Sequence, residues 1–480
     1  MLMPQQRVDL SDTPDQKLTT NKMSRRSFLH TTFGAGLAGS ALPTIFLEGC
    51  SSTSSEKIEL QWVSSGDANT TFDFLVEIFN ATNQDNIHVT QIPGDIFNVN
   101  QKFGQYRYFT TQLAEKKPQP DIMSLDVIWM KEFATRGWIQ SLDQYWHDTG
   151  NYLQTPLKAV QFNIAQGQPK YIWGAPHHTD AGILYYRTDM PDIIYLDPAK
   201  PWTWDDIKRM CKEAKASGRP GIFAWQGDNF EGLVCNFVEV LSGYGGQIFD
   251  DPVQPTQVRI NSPEAIEALQ QMINWIDVDK ISSSSVLSDE EENSTNLWIQ
   301  GNAAFMRNWP VFITASSNAN NKAIAEKFQI AALPSHSQSC LGGWNLTINN
   351  FSPHKDEAWK FIHWMLQEDA QQYLALKESL PVTLKSVYAN KYVQEQIPFY
   401  SSLKDIIEGA QFRPMSPHYQ TCISGAIQQC IHQALANPSC YKPEMALEDL
   451  ERELNRILQL KPSEDCPSPT NIITGCPIVQ

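Results

Sequence analysis

The sequence predicts an α/β protein of two lobes, and three observations carry that expectation. The chain has 480 residues, more than one hydrophobic core usually organises, so it divides into bodies of ordinary domain size. Between residues 58 and 129 the hydrophobic pattern switches from period two to period 3.6 and back, giving strand, helix, strand, helix, strand. Such short alternating units return each strand parallel to the last. Beyond residue 200 the same grammar recurs.

The elements follow in order. IELQWV (Ile58 to Val63) alternates as a half-buried strand. Phe72, Leu75, Ile78 and Phe79 recur at helical spacing, IHVTQIPG (Ile87 to Gly94) alternates again, and a second helical segment runs near Tyr108 to Lys116. PDIMSLDVIW (Pro120 to Trp129) is a buried strand after a proline-bearing turn. Thr203, three residues before Asp206, caps a helix that stops at Gly218. Ser352 and Pro353 open another, whose stripe is Ala358, Phe361, Ile362 and Met365. Leu447, Leu450, Leu454 and Ile457 give the last helix its buried face. The acidic run 282–294 is expected as a solvated surface loop, because it lacks the rigid oxygen spacing of a calcium site.

Composition bounds the function. Apolar residues make up 41%, with 14 Trp, 15 Tyr and 22 Phe, which is globular and supplies flat aromatic surfaces. A net charge of -16 with no Lys/Arg run excludes nucleic acid as a partner. Residues 1–49 read as an export signal. Arg25 and Arg26, followed by Phe28 and Leu29, resemble the twin-arginine signal, and the apolar, Gly-rich stretch to Leu47 is too short to span a bilayer. LEGC at Leu47 to Cys50 resembles a lipobox whose Cys50 takes the lipid, with 50–56 as a Ser-rich tether; Glu48 departs from the small or apolar residue usual there. The body then works in the periplasm or on the cell surface, anchored to the membrane.

Cys50 aside, eight of the nine cysteines remain, and none forms a CxxC. In an oxidising compartment the late cluster Cys422, Cys430, Cys440, Cys466 and Cys476 can staple the Pro-rich tail 461–480 onto the final helix, with the pairing open. Cys235, in an apolar run, is expected as a buried free thiol. His177 and His178 are adjacent, so in a regular strand they face opposite ways and make no metal pair. Neither metal nor cofactor is expected.

Six phrases stand in one order: GAPHHTDAGILYYRTDM (Gly174 to Met190), PWTWDDI (Pro201 to Ile207), FEGLVCNFVEVLSGYGG (Phe230 to Gly246), AAFMRNWP (Ala303 to Pro310), GGWNLTINNFS (Gly342 to Ser352) and FRPMSPHY (Phe412 to Tyr419). Together they resemble the extracellular sugar-binding components of ABC importers, solute-binding protein family 1, and especially their trehalose/maltose-binding branch. The resemblance covers roughly residues 56 to 460. It implies a two-lobed periplasmic-binding-protein fold of type II, similar to maltose-binding protein, with a hinge and a ligand cleft between the lobes. It further implies a first lobe of 57–179 plus 340–392 and a second of 180–339 plus 393–460.

A pyranose offers a patch of C–H bonds and a rim of hydroxyls, so its site needs flat aromatics together with fixed charged groups. Trp344, preceded by a glycine pair that includes Gly343, is the first stacking candidate, and Trp309 is the second. Asp126, Asp180 and Arg413 stand where the resemblance implies ligand contacts; Asp67 and Glu231 are weaker candidates, and Glu231 equally suits bracing of a helix start. The resemblance implies a disaccharide or glucoside as ligand; His178 and Val311 stand where the branch often has aromatics, which points away from trehalose or maltose to a guest such as a glucoside with a smaller second half, of which glucosylglycerol is one. The expected function is capture by hinge closure and delivery to the membrane permease by a monomer, with no bond broken. The competing class is a secreted glycoside-binding or glycoside-hydrolysing protein, which would need two carboxyl groups about 5 to 9.5 Å apart.

Overall fold

The computed structural model describes residues 57–66, 69–97, 103–165, 167–191, 201–466 and 472–477. The signal with Arg25 and Arg26, the Cys50 tether and Asp67 lie outside these residues. Residues 55–480 form one compact unit.

Eleven strands are described: β1 (Ile58–Val63), β2 (Ile87–Ile92), β3 (Ile122–Asp126), β4 (Gln161–Phe162), β5 (Tyr171–Ile172), β6 (Ala175–Ala181), β7 (Ile183–Arg187), β8 (Phe223–Ala224), β9 (Phe305–Asn308), β10 (Phe328–Ala331) and β11 (Leu341–Ile348). They assemble into a five-stranded sheet ordered β2-β1-β3-β11-β6, a four-stranded sheet ordered β10-β7-β9-β8, and the short pair β4-β5. As the early alternation predicts, β1 pairs parallel with both β2 and β3. Within this sheet parallel order stops there, because β11 runs antiparallel to β3 and to β6, whereas in the second sheet β8 pairs parallel with β9. The cause is topological: β6 leaves the first sheet for the second through Gly182, and β11 enters the first sheet after the chain has built the second.

Local signals gave the helices they promised. The helix Asn69–Thr82 buries Phe72, Leu75 and Phe79, and Lys355–Met365 buries Ala358, Phe361, Ile362 and Met365. Both press on Trp62 of β1, whose ring centroid lies 5.1 Å from Phe72 and 5.4 Å from Phe361. Each such fully buried ring contributes about 1.5 to 3 kcal/mol relative to exposure. Thr203 and Asp206 close a reciprocal capping box on the helix Trp204–Ala216. Residues 400–407 place Tyr400, Leu403 and Ile407 in the core that holds the first sheet, and the Tyr400 hydroxyl donates to Leu380 O at 2.8 Å.

Three expectations change. The run 282–294 is not a solvated loop: it folds into the turn Ser284–Ser288 and opens the helix Glu291–Ile299, with Ser294 and Thr295 buried. Glu290 and Asn293 cap that helix reciprocally, and the Ser294 hydroxyl accepts from Gln226 Nε2 at 2.6 Å, so polar composition is consumed internally. His177 and His178 do not face opposite ways, since their ring centroids are 4.3 Å apart. A register shift on β11 between Trp344, which pairs with His178, and Asn345, which pairs with Pro176, makes His177 an extra residue, and such a bulge turns consecutive side chains to one side. The tail is stapled by Cys422–Cys466 and Cys440–Cys476, which grip the two flanks of the helix Ser424–Ala436 rather than the final helix. Cys235 is a buried free thiol, as its apolar run predicts.

Candidate functional site

The site forms where the two sheets exchange chain. Asp126 ends β3 and pairs in register with Trp344 of β11; on the other side of β11, Gly342 pairs with Asp180 of β6. Gly343, between them, adopts φ +121°, and its missing side chain lets β11 lie against β6: an added Cβ would stand 2.5 Å from Thr179 Cα. Gly342 is equally tight, with Asp180 Cβ 3.1 Å and the Trp309 ring 3.3 Å from where its Cβ would be. The glycine pair therefore brings Asp180 and Trp309, from different strands, to the backbone beside Trp344.

Two tryptophans face this region with part of their surface exposed. Trp344 is held edge-on by Trp129 at 5.7 Å between centroids, and the Trp129 indole N–H donates to Gln420 Oε1 at 3.0 Å. Trp309 follows β9; its indole N–H donates to Glu291 Oε1 at 3.2 Å, and the Arg307 guanidinium lies over its ring at 4.2 Å. Burial pushes the Glu291 carboxyl above the usual carboxylate range, against the hydrogen bond from Trp309.

Arg413 closes the floor. Its Nη1 donates to Glu231 Oε1 at 2.7 Å, its Nη2 donates to Leu341 O at 3.1 Å, and Nη2 lies 3.9 Å from Asp126 Oδ1. Burial opposes the charge on Arg413, and the Glu231 carboxylate beside it favours the protonated guanidinium. Glu231 also accepts from the Tyr419 hydroxyl at 2.6 Å and from Ser424 Oγ, so its oxygens are occupied from within the protein. The Asp126 carboxylate accepts from Ile128 N at 3.1 Å.

Asp126, Asp180, Trp309, Trp344 and Arg413 are thus brought together around the Gly342–Gly343 backbone. His178 is fully buried against His177 and Phe72, and Glu231 stands behind Arg413. Sequence reasoning missed Trp129, Glu291 and Arg307. Trp129 reads as the end of a buried strand but stands in the turn after β3, and Glu291 sits in an acidic run that reads as surface. For Arg307, its place two residues before Trp309 in a segment read as a strand was the available signal, because residues two apart share a face. Among the described residues no helix is long and apolar enough to cross a membrane.

The family model described as bacterial extracellular solute-binding protein matches residues 64–372, which take in every one of these five site residues except Arg413. A probable ABC transporter-binding protein of Deinococcus radiodurans is 31% identical over 366 residues, or 73% of this chain and 82% of that protein. The structure of maltose-bound MalE3 of T. maritima is similar with a TM-score of 0.73 at 31% identity, over 83% of this chain and 100% of the other. The GacH receptor of Streptomyces glaucescens, solved unliganded and with acarbose, shares the fold with a TM-score of 0.69 at 20% identity, over 84% of this chain and 99% of the other. With the family model covering more than half of the sequence and a relative 31% identical over 82% of its own length, the chain belongs to the bacterial extracellular solute-binding proteins.

Proposed function

We propose that this protein is the sugar-capturing component of an ABC importer, taking a disaccharide or glucoside between its lobes and handing it to the permease without chemical change. The observation that supports it is the convergence of two part-exposed indoles with Asp126, Asp180 and Arg413 on one glycine-lined stretch of backbone. The guanidinium covers one face of Trp309, and the opposite face is the plate for a pyranose. Two stacks at about 0.5 to 1.5 kcal/mol each, with three hydrogen bonds to charged groups at about 1.5 to 3 kcal/mol each, reach the roughly 8 kcal/mol of a micromolar complex. The maltose and acarbose in the similar structures are ligands of the same chemistry.

In this proposal Asp126, Asp180, Trp309, Trp344 and Arg413 touch the ligand, Gly343 admits it, Asp67 adds a first-lobe contact, Glu231 braces Arg413, and His178 shapes the pocket from behind. Because the contacts come from chain on both sides of the crossings, ligand binds the closed form more tightly and shifts the population towards it. Arg25 and Arg26 direct export, and Cys50 carries the lipid that keeps the protein at the membrane as a monomer. A thermal-shift screen with maltose, trehalose and glucosylglycerol tests the assignment. A ligand at a hundred times its dissociation constant adds about 2.7 kcal/mol to folded-state stability, several degrees in Tm. No shift with any of them at about 1 mM, a concentration on the order of a thousand times a micromolar Kd, would overturn it.

A further inference from the structure

Beneath Trp309 lies a charged pair closed off from solvent. Arg307 and Glu239 are both buried, at 1% and 2% side-chain exposure, and form a two-pronged ion pair: Nε donates to Oε2 at 2.7 Å and Nη2 to Oε1 at 2.6 Å. Burying two charges is costly and is repaid only when geometry and further hydrogen bonds are good. Here Arg307 Nη1 also donates to Gln226 Oε1 at 3.2 Å, and Glu239 Oε1 also accepts the backbone N–H of Cys340 at 3.0 Å.

That last bond gives the pair a position in the mechanics. Cys340 is the residue immediately before β11, where the chain returns to the first sheet. Gly182 is the single residue between β6 and β7, where it leaves. A Cβ on Gly182 would stand 2.0 Å from Glu239 Oε1 and 2.5 Å from Arg307 Nη2, so this crossing also rests directly on the pair. The crossings are tied to each other as well, since Ser339 Oγ donates to Gly182 O at 2.7 Å and Gly182 N to Cys340 O at 3.4 Å. The outer face of the same guanidinium supports the Trp309 indole.

We infer that Arg307 and Glu239 are positioning residues that couple the tilt of the Trp309 plate to the geometry of both crossings, so that hinge bending and ligand stacking are set by one buried ion pair. The inference deepens the proposed function and rests on Trp309 being a ligand plate. A lysine at 307 keeps the charge but has neither the fork that meets both carboxylate oxygens nor the flat face that lies on the indole.

The test is Arg307→Lys, with Arg187→Lys as control. Arg187 makes a comparable fork to Asp189, 2.7 and 2.6 Å, on neighbouring β7, and bonds Gly301 O instead of a crossing. Two readouts are taken: amide hydrogen exchange of the ligand-free peptide 339–342, and maltose affinity by calorimetry. R307K is expected to speed exchange at Cys340 at least tenfold and to weaken maltose at least tenfold, while R187K leaves both within twofold. Exchange in R307K no faster than in R187K overturns the link to the crossings; faster exchange with unchanged maltose affinity overturns the link to the plate. Should R307K fail to fold, Trp309→Ala takes its place: unloading the guanidinium is expected to speed Cys340 exchange at least threefold, and unchanged exchange overturns the coupling. If the wild-type protein binds no maltose while its R307K hinge exchange still rises, the mechanical link stands and the sugar assignment is what fails.

Discussion

Replacing Gly343 by Ala tests the backbone on which the site depends. Gly343 sits at φ +121°, outside the regions open to a residue with a side chain, which costs about 1 to 3 kcal/mol. The new Cβ would also stand 2.5 Å from Thr179 Cα and 2.8 Å from His178 O. Both are backbone atoms of β6 that cannot swing aside as a side-chain tip would, so the β6–β11 ladder must part, at about 1 to 3 kcal/mol more. The sum, about 2 to 6 kcal/mol, corresponds to roughly 5 to 20 °C in Tm for lobes of this size. Differential scanning calorimetry measures it, and Gly425→Ala is the internal comparison. Gly425 lies in the helix Ser424–Ala436 with no atom within 4 Å of an added Cβ, so alanine there should gain about 0.5 to 1 kcal/mol. Because Gly342 and Trp344 flank the disturbed residue, maltose affinity should fall in G343A along with stability. A G343A protein that melts within a degree of wild type, or G425A falling as far as G343A, would refute the reasoning.

Four further outcomes are expected. Trp344→Ala should weaken maltose by roughly thirtyfold, about 2 kcal/mol for a lost stack and its buried area, with Tm nearly unchanged; calorimetric titration checks it. Burial, and then the charge of Asp228, raise the pKa of half-buried Asp289 to about 6. A raised acid destabilises the fold when ionised, a cost fully present above pH 6 and lost as pH falls from 6 towards the unfolded value. Asp289→Asn should therefore stabilise at pH 7.5 by up to about 1 kcal/mol after solvent screening, and the gain should shrink below pH 6 in melts across pH. The disulfides Cys422–Cys466 and Cys440–Cys476 close loops of 44 and 36 residues. By chain entropy each is worth about 4 kcal/mol, so Cys466→Ser should lower Tm and speed hydrogen exchange of residues 461–466. Cys50→Ser should move the protein from the membrane fraction to the soluble fraction on cell fractionation, and unchanged membrane association would count against lipidation.

Legibility in the sequence follows the reach of each interaction. The buried stripes of Asn69–Thr82 and Lys355–Met365 and the box between Thr203 and Asp206 are set by residues three or four apart, so their period and spacing announce them. The Trp-bearing phrases around Trp309 and Trp344, and the polar rim suited to hydroxyls, were visible as residue types in order. Tertiary structure decided what depends on distant partners. Glu231 meets Arg413 across 182 positions and becomes its brace; Glu291 meets Trp309 across 18 and turns an acidic run inward; Arg307 meets Glu239 across 68, beside the two chain crossings. The antiparallel return of β11 and the bulge at His177 were equally hidden, because a strand's partner and register are fixed by which sheet edge it reaches, and a single extra residue reverses the face of everything after it. The amino-acid order determined which groups are available to hold a polyhydroxylated guest; only the folded crossings decided which of them share a pocket, because side chains far apart in sequence acquire a common direction only through the backbone that carries both.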